Sequence, residues 1–325
     1  MMYCMYSIIL ILLLILELVY FKIADHFNII DKPNLRSSHS DITLRGGGVI
    51  FLISAWMWAI FFGANYMFFL LGLTMIAGIS FIDDVRGVSN KMRLIFQFVA
   101  MLMMFYDYGI LNIESWWIII LALILCVGII NAYNFMDGIN GITGGYSLAV
   151  LLPLLYLNSE LHYVENSLLI VTLLGVLVFN FFNFRKKAKC FAGDVGSVGI
   201  AFIILFALGK LILLTGDMSY ILLLAIYGVD SVLTIIHRII LHENIGEAHR
   251  KHVYQLMANE LKLPHVLVSS IYMMLQLAVS FGLILLPIHH ALMFVATIVV
   301  LSLAYVLFKK KYYHLHEAYL ASLKH

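Results

Sequence analysis

The chain has 325 residues, of which 63% are hydrophobic and only 12% charged, against about a quarter charged in soluble domains; a water-soluble globular protein is excluded, and lipid is the chain's solvent. A formal charge of +2 supplies no broad basic field, and no local basic and aromatic surface stands out, which argues against nucleic acid as a partner. Cys4, Cys126 and Cys190 are odd in number and lack metal-ligand spacing, so neither a disulfide framework nor a zinc site is expected.

In chain order, apolar runs at 4–21, 48–62, 67–81, 92–105, 116–133, 146–157, 167–182, 198–214, 220–236, 266–286 and 291–308 predict an all-α, polytopic membrane bundle of eleven helices. Several runs fall short of the ~20 residues of a full span, so their ends are expected to extend into the loops, or the bilayer to thin around them. The first run has no basic region before it and no A-x-A site after it, and reads as a retained helix. Four prolines, no low-complexity tract and no internal repeat leave a single domain, residues 1–325.

With the N-terminus outside, segments 22–47, 82–91, 134–145, 183–197 and 237–265 and the tail after Phe308 become cytoplasmic, and 18 of the 20 Lys and Arg lie in them. Arg93 sits one residue inside a helix at the same face. The opposite connections hold Asp107, Glu114, Glu160, Glu165 and Asp217 and no Lys or Arg. This one-sidedness is the positive-inside pattern, and it predicts an outside N-terminus and a cytoplasmic C-terminus.

The same parity sends five polar clusters to the cytoplasmic face: His39 with Arg45-Gly46-Gly47-Gly48, Asp83-Asp84, Asn131 to Gly138, Gly193 to Ser197, and His249 to His252. They are expected to line one cleft. Asp83-Asp84 ends an apolar run, where the plain reading is a solvated helix end and the functional one is a carboxylate pair for a hard divalent cation or for a phosphate proton. Acidic side chains at a helix C-terminus oppose its dipole, so a positive neighbour is expected. Asn131, Asn134 and Asp137, three apart, share a face if their helix continues, and Gly138, Gly141, Gly144 and Gly145 would let backbone approach a ligand.

Gly193-Asp194-Val195-Gly196-Ser197 leads into the eighth helix. Asp194 or Ser197 there is an ordinary N-cap, or Asp194 is a metal-bound carboxylate beside N–H groups suited to pyrophosphate. Arg185-Lys186-Lys187-Ala188-Lys189 reads mainly as a topology signal. His249 and His252 lack the intervening Glu and third ligand of a zinc pair, so with Arg250 they read as a cationic phosphate clamp. Asp230, inside the ninth run, is a functional candidate by its depth. Glu17 and Lys210 are expected to reach polar surroundings by tilt or snorkelling.

Taken together, Asp31-Lys32-Pro33-Asn34 with Arg36, His39 and Arg45-Gly46-Gly47, then Asp83-Asp84, Asn131-x-x-Asn134-x-x-Asp137-Gly138, Asn183 with Phe191-x-Gly193-Asp194-x-Gly196-Ser197, and His249-Arg250-x-His252-x-Tyr254-Gln255 resemble the polyprenyl-phosphate N-acetylhexosamine-1-phosphate transferase superfamily. The resemblance spans about residues 31–255. Two features depart from the usual pattern: Asn140 stands where a second Asp is common, and Arg185-Lys186 replace a Pro-Ala after Asn183. The ending His252-Val253-Tyr254-Gln255 is similar to the branch that starts O-antigen and capsule synthesis rather than to the MurNAc-pentapeptide enzyme.

The resemblance implies a bacterial inner-membrane enzyme that transfers an N-acetylhexosamine 1-phosphate from its UDP-sugar, UDP-GlcNAc or a 6-deoxy relative, to undecaprenyl phosphate and releases UMP. Asp83, Asp84, Asp137 and Asp194 would be catalytic, with Mg2+, or Mn2+ in its place, on Asp194 and Asp84. His39, Arg45, Asn131, Asn134, Asn183, His249, Arg250 and His252 would bind substrate. The partners implied are the UDP-sugar, undecaprenyl phosphate and membrane lipid, with a homodimer allowed. The rival expectation is a transporter of a polar or anionic solute, which would place its polar groups near the middle of the membrane and often repeat its halves. A non-catalytic scaffold would have little use for all four aspartates.

Overall fold

The computed structural model of the chain describes residues 2–33, 38, 42–111, 114, 116–247 and 249–322. Helices dominate: α1 (Met2–His26), α2 (Val49–Phe62), α3 (Met67–Arg86), α4 (Asn90–Tyr108), α5 (Trp116–Met136), α6 (Ile142–Leu161), α7 (Asn166–Asn183), α8 (Gly193–Thr215), α9 (Ala225–Ile240), the single turn α10 (Val253–Gln255), α11 (His265–Leu285) and α12 (His290–Ser322). Among the described residues nine helical segments are long and apolar enough to cross a membrane, the ninth-run segment Met218–Ile240 counted whole, while Val49–Phe62 is shorter. A two-stranded antiparallel ribbon, β1 (Ile30–Asp31) with β2 (Thr43–Leu44), sits between α1 and α2.

The helices grow past the apolar runs because every backbone N–H and C=O in lipid must be satisfied within the segment. The largest departure is at the end, where α12 does not stop near Phe308 but runs on to Ser322. Its extension packs on the last loop: His316 Nδ1 lies 2.7 Å from Glu260 Oε1, the Arg250 guanidinium stacks over the Tyr319 ring at 4.1 Å, and Lys309 Nζ donates to the Lys251 carbonyl. The ninth run begins as a 3-10 turn, Met218–Leu224, before α9.

α8 packs on α2, α3, α5 and α6, and its residues from Val195 to Leu208 are largely buried. Phe69, Phe202, Phe206 and Tyr108 stack around it. α6 is held by α7 and α11, and α9 by α5 and α12. Toward the end of α5, Tyr133, Tyr146 and Tyr227 form a buried aromatic layer, with Tyr146 and Tyr227 stacked 3.5 Å apart. At the opposite end, Asp107 receives the Phe69 N–H at 2.5 Å while its carbonyl accepts from Lys210, and Asp217 pairs with His290.

The glycines after Asp137 serve packing between helices rather than the approach of a ligand. A Cβ on Gly138 would overlap the Tyr254 hydroxyl, one on Gly144 the Asn180 amide, and one on Gly145 the Phe184 ring. Glu17 does not snorkel either; it is fully buried, with Oε1 3.8 Å from Cys190 Sγ.

Candidate active site

The site forms where the ends of α3 and α5 meet the starts of α4 and α8. α3 and α4 are joined by a tight turn through Gly87 (φ +75°) and Ser89, whose hydroxyl accepts the Met92 N–H at 3.4 Å. This hairpin sets Arg93, on the first turn of α4, against the two aspartates at the end of α3. Arg93 Nη1 lies 2.8 Å from Asp83 Oδ2 and 3.4 Å from Asp194 Oδ2. Arg45, just past β2, puts Nε 2.7 Å from Asp84 Oδ1 and Nη2 3.6 Å from Asp194 Oδ1. The positive neighbours expected for a C-terminal carboxylate pair are therefore two guanidiniums and a helix N-terminus.

Asp84 faces that helix N-terminus. Its side chain has 0% exposure, and its two oxygens accept the N–H groups of Asp194 (2.9 Å) and Val195 (3.0 Å). No side chain of α8 itself caps the helix, so neither Asp194 nor Ser197 plays that part and the cap comes from α3. Asp84, expected among the metal ligands, thus has both oxygens committed. Asp83 also has both oxygens engaged, Oδ1 by the Val88 N–H at 2.5 Å and Oδ2 by Arg93, but its side chain is 11% exposed and that of Asp194 16%, so these two keep more open edges than Asp84.

α5 ends at Met136 and Asp137 lies past it, so the three polar residues do not share one continuing helical face. Asn131 donates to Gln97 Oε1 at 2.9 Å and to the Val127 carbonyl at 2.8 Å. Asn134, with its amide nitrogen toward Ser197 (2.9 Å) and Asp194 (3.2 Å), accepts from Arg93 Nη2 at 2.9 Å. Asp137 Oδ1 accepts the Thr143 hydroxyl at 2.6 Å. Burial, reinforced by the charges of Asp194 and Asp84, lifts the Asp137 carboxyl to about 7, against the pull of the Thr143 hydrogen bond and Arg45.

The remaining expected residues fall in three groups. Asn183 is buried and joins two loops, accepting the Gly141 N–H at 2.7 Å and donating to the Cys190 carbonyl at 2.8 Å; both ends of its amide serve the protein. His249 and His252 line a cavity of about 420 Å³ with Arg93, Gln97 and Asn131, but Arg250 pairs with Glu260 at 3.1 Å and stacks on Tyr319. Burial, with the nearby His252, Arg238 and Lys251, pushes the His249 imidazole down to about 3. His249 is therefore neutral at physiological pH, and the clamp is less cationic than its sequence. His39, with Asn34 and Arg36 of the same motif, lies outside the described residues.

Arg93 and Gln97 are the residues sequence reasoning missed as site groups. Asn90, Arg93 and Gln97 recur at three and seven residues, one stripe of α4, and Gln97 is a buried amide in an apolar helix.

Two further spaces adjoin segments that carry the site. A cavity of about 1120 Å³ is lined by Lys22, Lys186, Lys187, Lys189 and Phe191, together with Asp25; Phe191 is three residues before Asp194. An apolar groove of about 610 Å³ runs between α5 and α9 along Ile124, Gly128, Val229 and Val232, and it shares Asn131 and Phe135 with the cavity of Arg93.

A magnesium ion fits this donor chemistry in part. Two carboxylates, Asp83 and Asp194, converge on one guanidinium nitrogen, and magnesium commonly takes one or two carboxylates and completes its shell with water and substrate phosphates. Among the described residues no group of three His, Cys, Asp or Glu side chains is arranged to hold a metal, so these residues alone would offer an incomplete shell.

The sequence pattern of Glycosyl transferase family 4 matches residues 66–215, from the start of α3 to the end of α8. The phospho-N-acetylmuramoyl-pentapeptide-transferase of Thermotoga maritima is 28% identical over 223 residues, covering 63% of this chain and 71% of that protein. The probable undecaprenyl-phosphate N-acetylglucosaminyl 1-phosphate transferase of Bacillus subtilis is 26% identical over 261 residues, 74% and 73% of the two chains. These matches support a place for the chain in the polyprenyl-phosphate hexosamine-1-phosphate transferase superfamily. The polar groups of the rival transporter would sit near mid-membrane; here they gather at helix ends.

Proposed function

We propose that the chain transfers N-acetylhexosamine 1-phosphate from a UDP-sugar, UDP-GlcNAc or a 6-deoxy relative, to undecaprenyl phosphate, releasing UMP and starting a cell-surface polysaccharide. One observation carries the reading: Asp83, Asp194, Arg45 and Arg93 meet at helix ends, a lysine-lined cavity reaches Leu44 and Phe191, close to Arg45 and Asp194 in the chain, and an apolar groove shares Asn131 and Phe135 with the cavity of Arg93. The cavity suits a soluble, polyanionic donor. The groove suits a prenyl tail whose phosphate would lie beside Arg93 and Asn131.

In this reading an oxygen of the lipid phosphate attacks the phosphorus that carries the sugar, and the bond from that phosphorus to UMP breaks. Both reactants are anionic, so positioning and charge neutralisation are most of the task. Arg93 holds the acceptor phosphate near the donor, Arg45 faces the donor pyrophosphate, and the lysines hold the nucleotide end. Asp83 and Asp194 would hold magnesium, which when bound neutralises charge on the pyrophosphate. Asp84 keeps Asp194 in place through the start of α8. Embedding in the inner membrane, with the site at the cytoplasmic face, lets the acceptor's tail stay in lipid while its phosphate meets a soluble donor.

The test is a panel of UDP-N-acetylhexosamines given to purified protein with undecaprenyl phosphate, with mass analysis of the lipid product. A lipid-linked diphosphosugar from one or more donors, formed with magnesium and not without it, is the expected result. A folded protein that yields none from any donor would refute the proposal.

A further inference from the structure

Asp230 is buried within α9, and its carboxylate is ringed by groups from three elements, α9, α10 with its cap, and α11. Tyr272 of α11 donates to Oδ2 at 2.6 Å, Thr234 of α9 to Oδ1 at 3.2 Å, and the Val253 N–H to Oδ1 at 3.0 Å, while His252 Nδ1 lies 3.4 Å from Oδ1. Thr234 in turn meets the Tyr305 hydroxyl of α12 at 2.9 Å. His252 is 1% exposed, its ring lies 5.0 Å from that of His249 and stacks at 5.8 Å on Tyr254, and its backbone N–H is held by Gln255 Oε1 at 3.2 Å. The imidazole is thus fixed on several sides. Neither ring nitrogen makes a hydrogen bond within the described residues: Nδ1 faces Asp230 at ion-pair distance, and Nε2 is buried with no partner. The residue lines the cavity that also holds Arg93, Gln97 and Asn131.

An unpartnered polar atom in such a place costs free energy unless a ligand satisfies it. A carboxylate behind one imidazole nitrogen fixes the ring's orientation and tautomer and readies the other nitrogen for a ligand. Because this cavity shares Asn131 and Phe135 with the apolar groove, the ligand best placed to meet Nε2 is the head group of a molecule whose tail lies in that groove.

We infer that Asp230 is a positioning residue, holding the His252 imidazole so that Nε2 shares a proton with a phosphoryl oxygen of the lipid acceptor. This rests on the proposal that the acceptor is a lipid phosphate. A phosphate monoester has its second pKa near 6, so one proton lies between the phosphate oxygen and Nε2, and the positive charge it leaves on the ring is matched by Asp230. Arg93, across the same cavity, supplies the second contact, and the two give the site a preference for a monoester phosphate at the end of a lipid chain.

A plain structural role for Asp230, pinning the loop through Val253 and Tyr272, is the competing explanation, and the experiment separates the two. Full-length protein in nanodiscs, as wild type, D230N, H252Q, the D230N/H252Q double variant and Y272F, is titrated with undecaprenyl phosphate and with undecaprenol, and KM for acceptor and for donor is measured on the same set. The single variants D230N and H252Q should each weaken lipid phosphate binding about tenfold, the scale of one charge-assisted hydrogen bond. The double variant should be no weaker than H252Q alone, because the two act as a unit. Y272F should stay within about twofold, as should donor KM and undecaprenol binding in every variant. Wild-type binding by D230N, additive losses in the double variant, an equal loss in Y272F, or no lipid phosphate binding by the wild type would each overturn the inference. Wild-type protein that binds lipid phosphate yet transfers from no UDP-sugar would sink the transferase reading alone, and the binding comparison would still decide the role of Asp230.

Discussion

Asp84 caps the helix that carries Asp194. Its carboxylate accepts the N–H groups of Asp194 and Val195 while Arg45 holds one of its oxygens, so the end of α3 and the start of α8 are joined through a charge that suits the α8 N-terminus and offsets its place at the C-terminus of α3. Replacing Asp84 with Ala should leave two buried N–H groups without their acceptor and Arg45 with only its longer contact to Asp194. The expected cost is roughly 2 kcal/mol or more of stability, read as a lower melting temperature in detergent, together with loss of transfer. D84A protein that melts like wild type would show that the cap is dispensable.

Arg93 ties Asp83, Asp194 and Asn134 with one planar group. A lysine cannot reproduce that fork. R93K should lower kcat by tenfold or more, about 1.4 kcal/mol in barrier, while a melting curve shows the fold intact. Steady-state kinetics with saturating donor and acceptor would measure it, and near-normal turnover would remove Arg93 from the site.

Asp137 has its carboxyl raised to about 7 by burial first and by Asp194 and Asp84 next. Below pH 7 it is neutral, and above it the carboxylate cluster gains a negative charge. Magnesium should therefore be needed at lower concentration as the pH rises past about 7. The Thr143 hydroxyl stabilises the ionised form, so T143V should move that midpoint to higher pH. The half-saturating magnesium concentration for transfer, measured from pH 6 to 9 in both proteins, tests the direction; a midpoint that stays put or falls would contradict it.

Gly48 and Gly196 pack backbone to backbone where α2 meets α8, and a Cβ on Gly48 would overlap the Gly196 Cα. Gly48 has an ordinary φ of −69°, so the demand is for space and not for conformation. G48A should cost about 1–3 kcal/mol through overpacking and shift the start of α8 with Asp194. Thermal melting and transfer should both fall, whereas G78A, where a Cβ meets nothing within 4 Å, should leave both near wild type.

Much of the site was legible because each motif carries its own chemistry. Asp83-Asp84, Asn134 and Asp194 read as polar groups at helix ends, and the structure brings them together with Arg45. Arg93 was hidden in the positive-inside signal, since one more cation at that face says nothing about which carboxylate it meets; the turn through Gly87 decides that. Asn183 read as a substrate contact because an amide can serve ligand or loop equally, and only the positions of Gly141 and Cys190 tell which. The extension of α12 was invisible for a similar reason: Lys309 to Glu317 looks like a solvated tail until Glu260, Lys251 and Arg250 are there to receive it. Asp230 stood out by depth alone, but its partners on α11 and α12 are tertiary facts.

In the proposed reaction the phosphate nearest the sugar travels with it. UDP-GlcNAc, or the donor that the panel selects, labelled with 32P at the β-phosphorus, should be incubated with purified protein, undecaprenyl phosphate and magnesium, and the lipid and water phases counted. Label should enter the lipid phase, one for each UMP released, and both should be lost in D194N. Label that stays in the water phase as UDP while sugar enters the lipid would mean transfer of the sugar alone, and would contradict the proposed reaction.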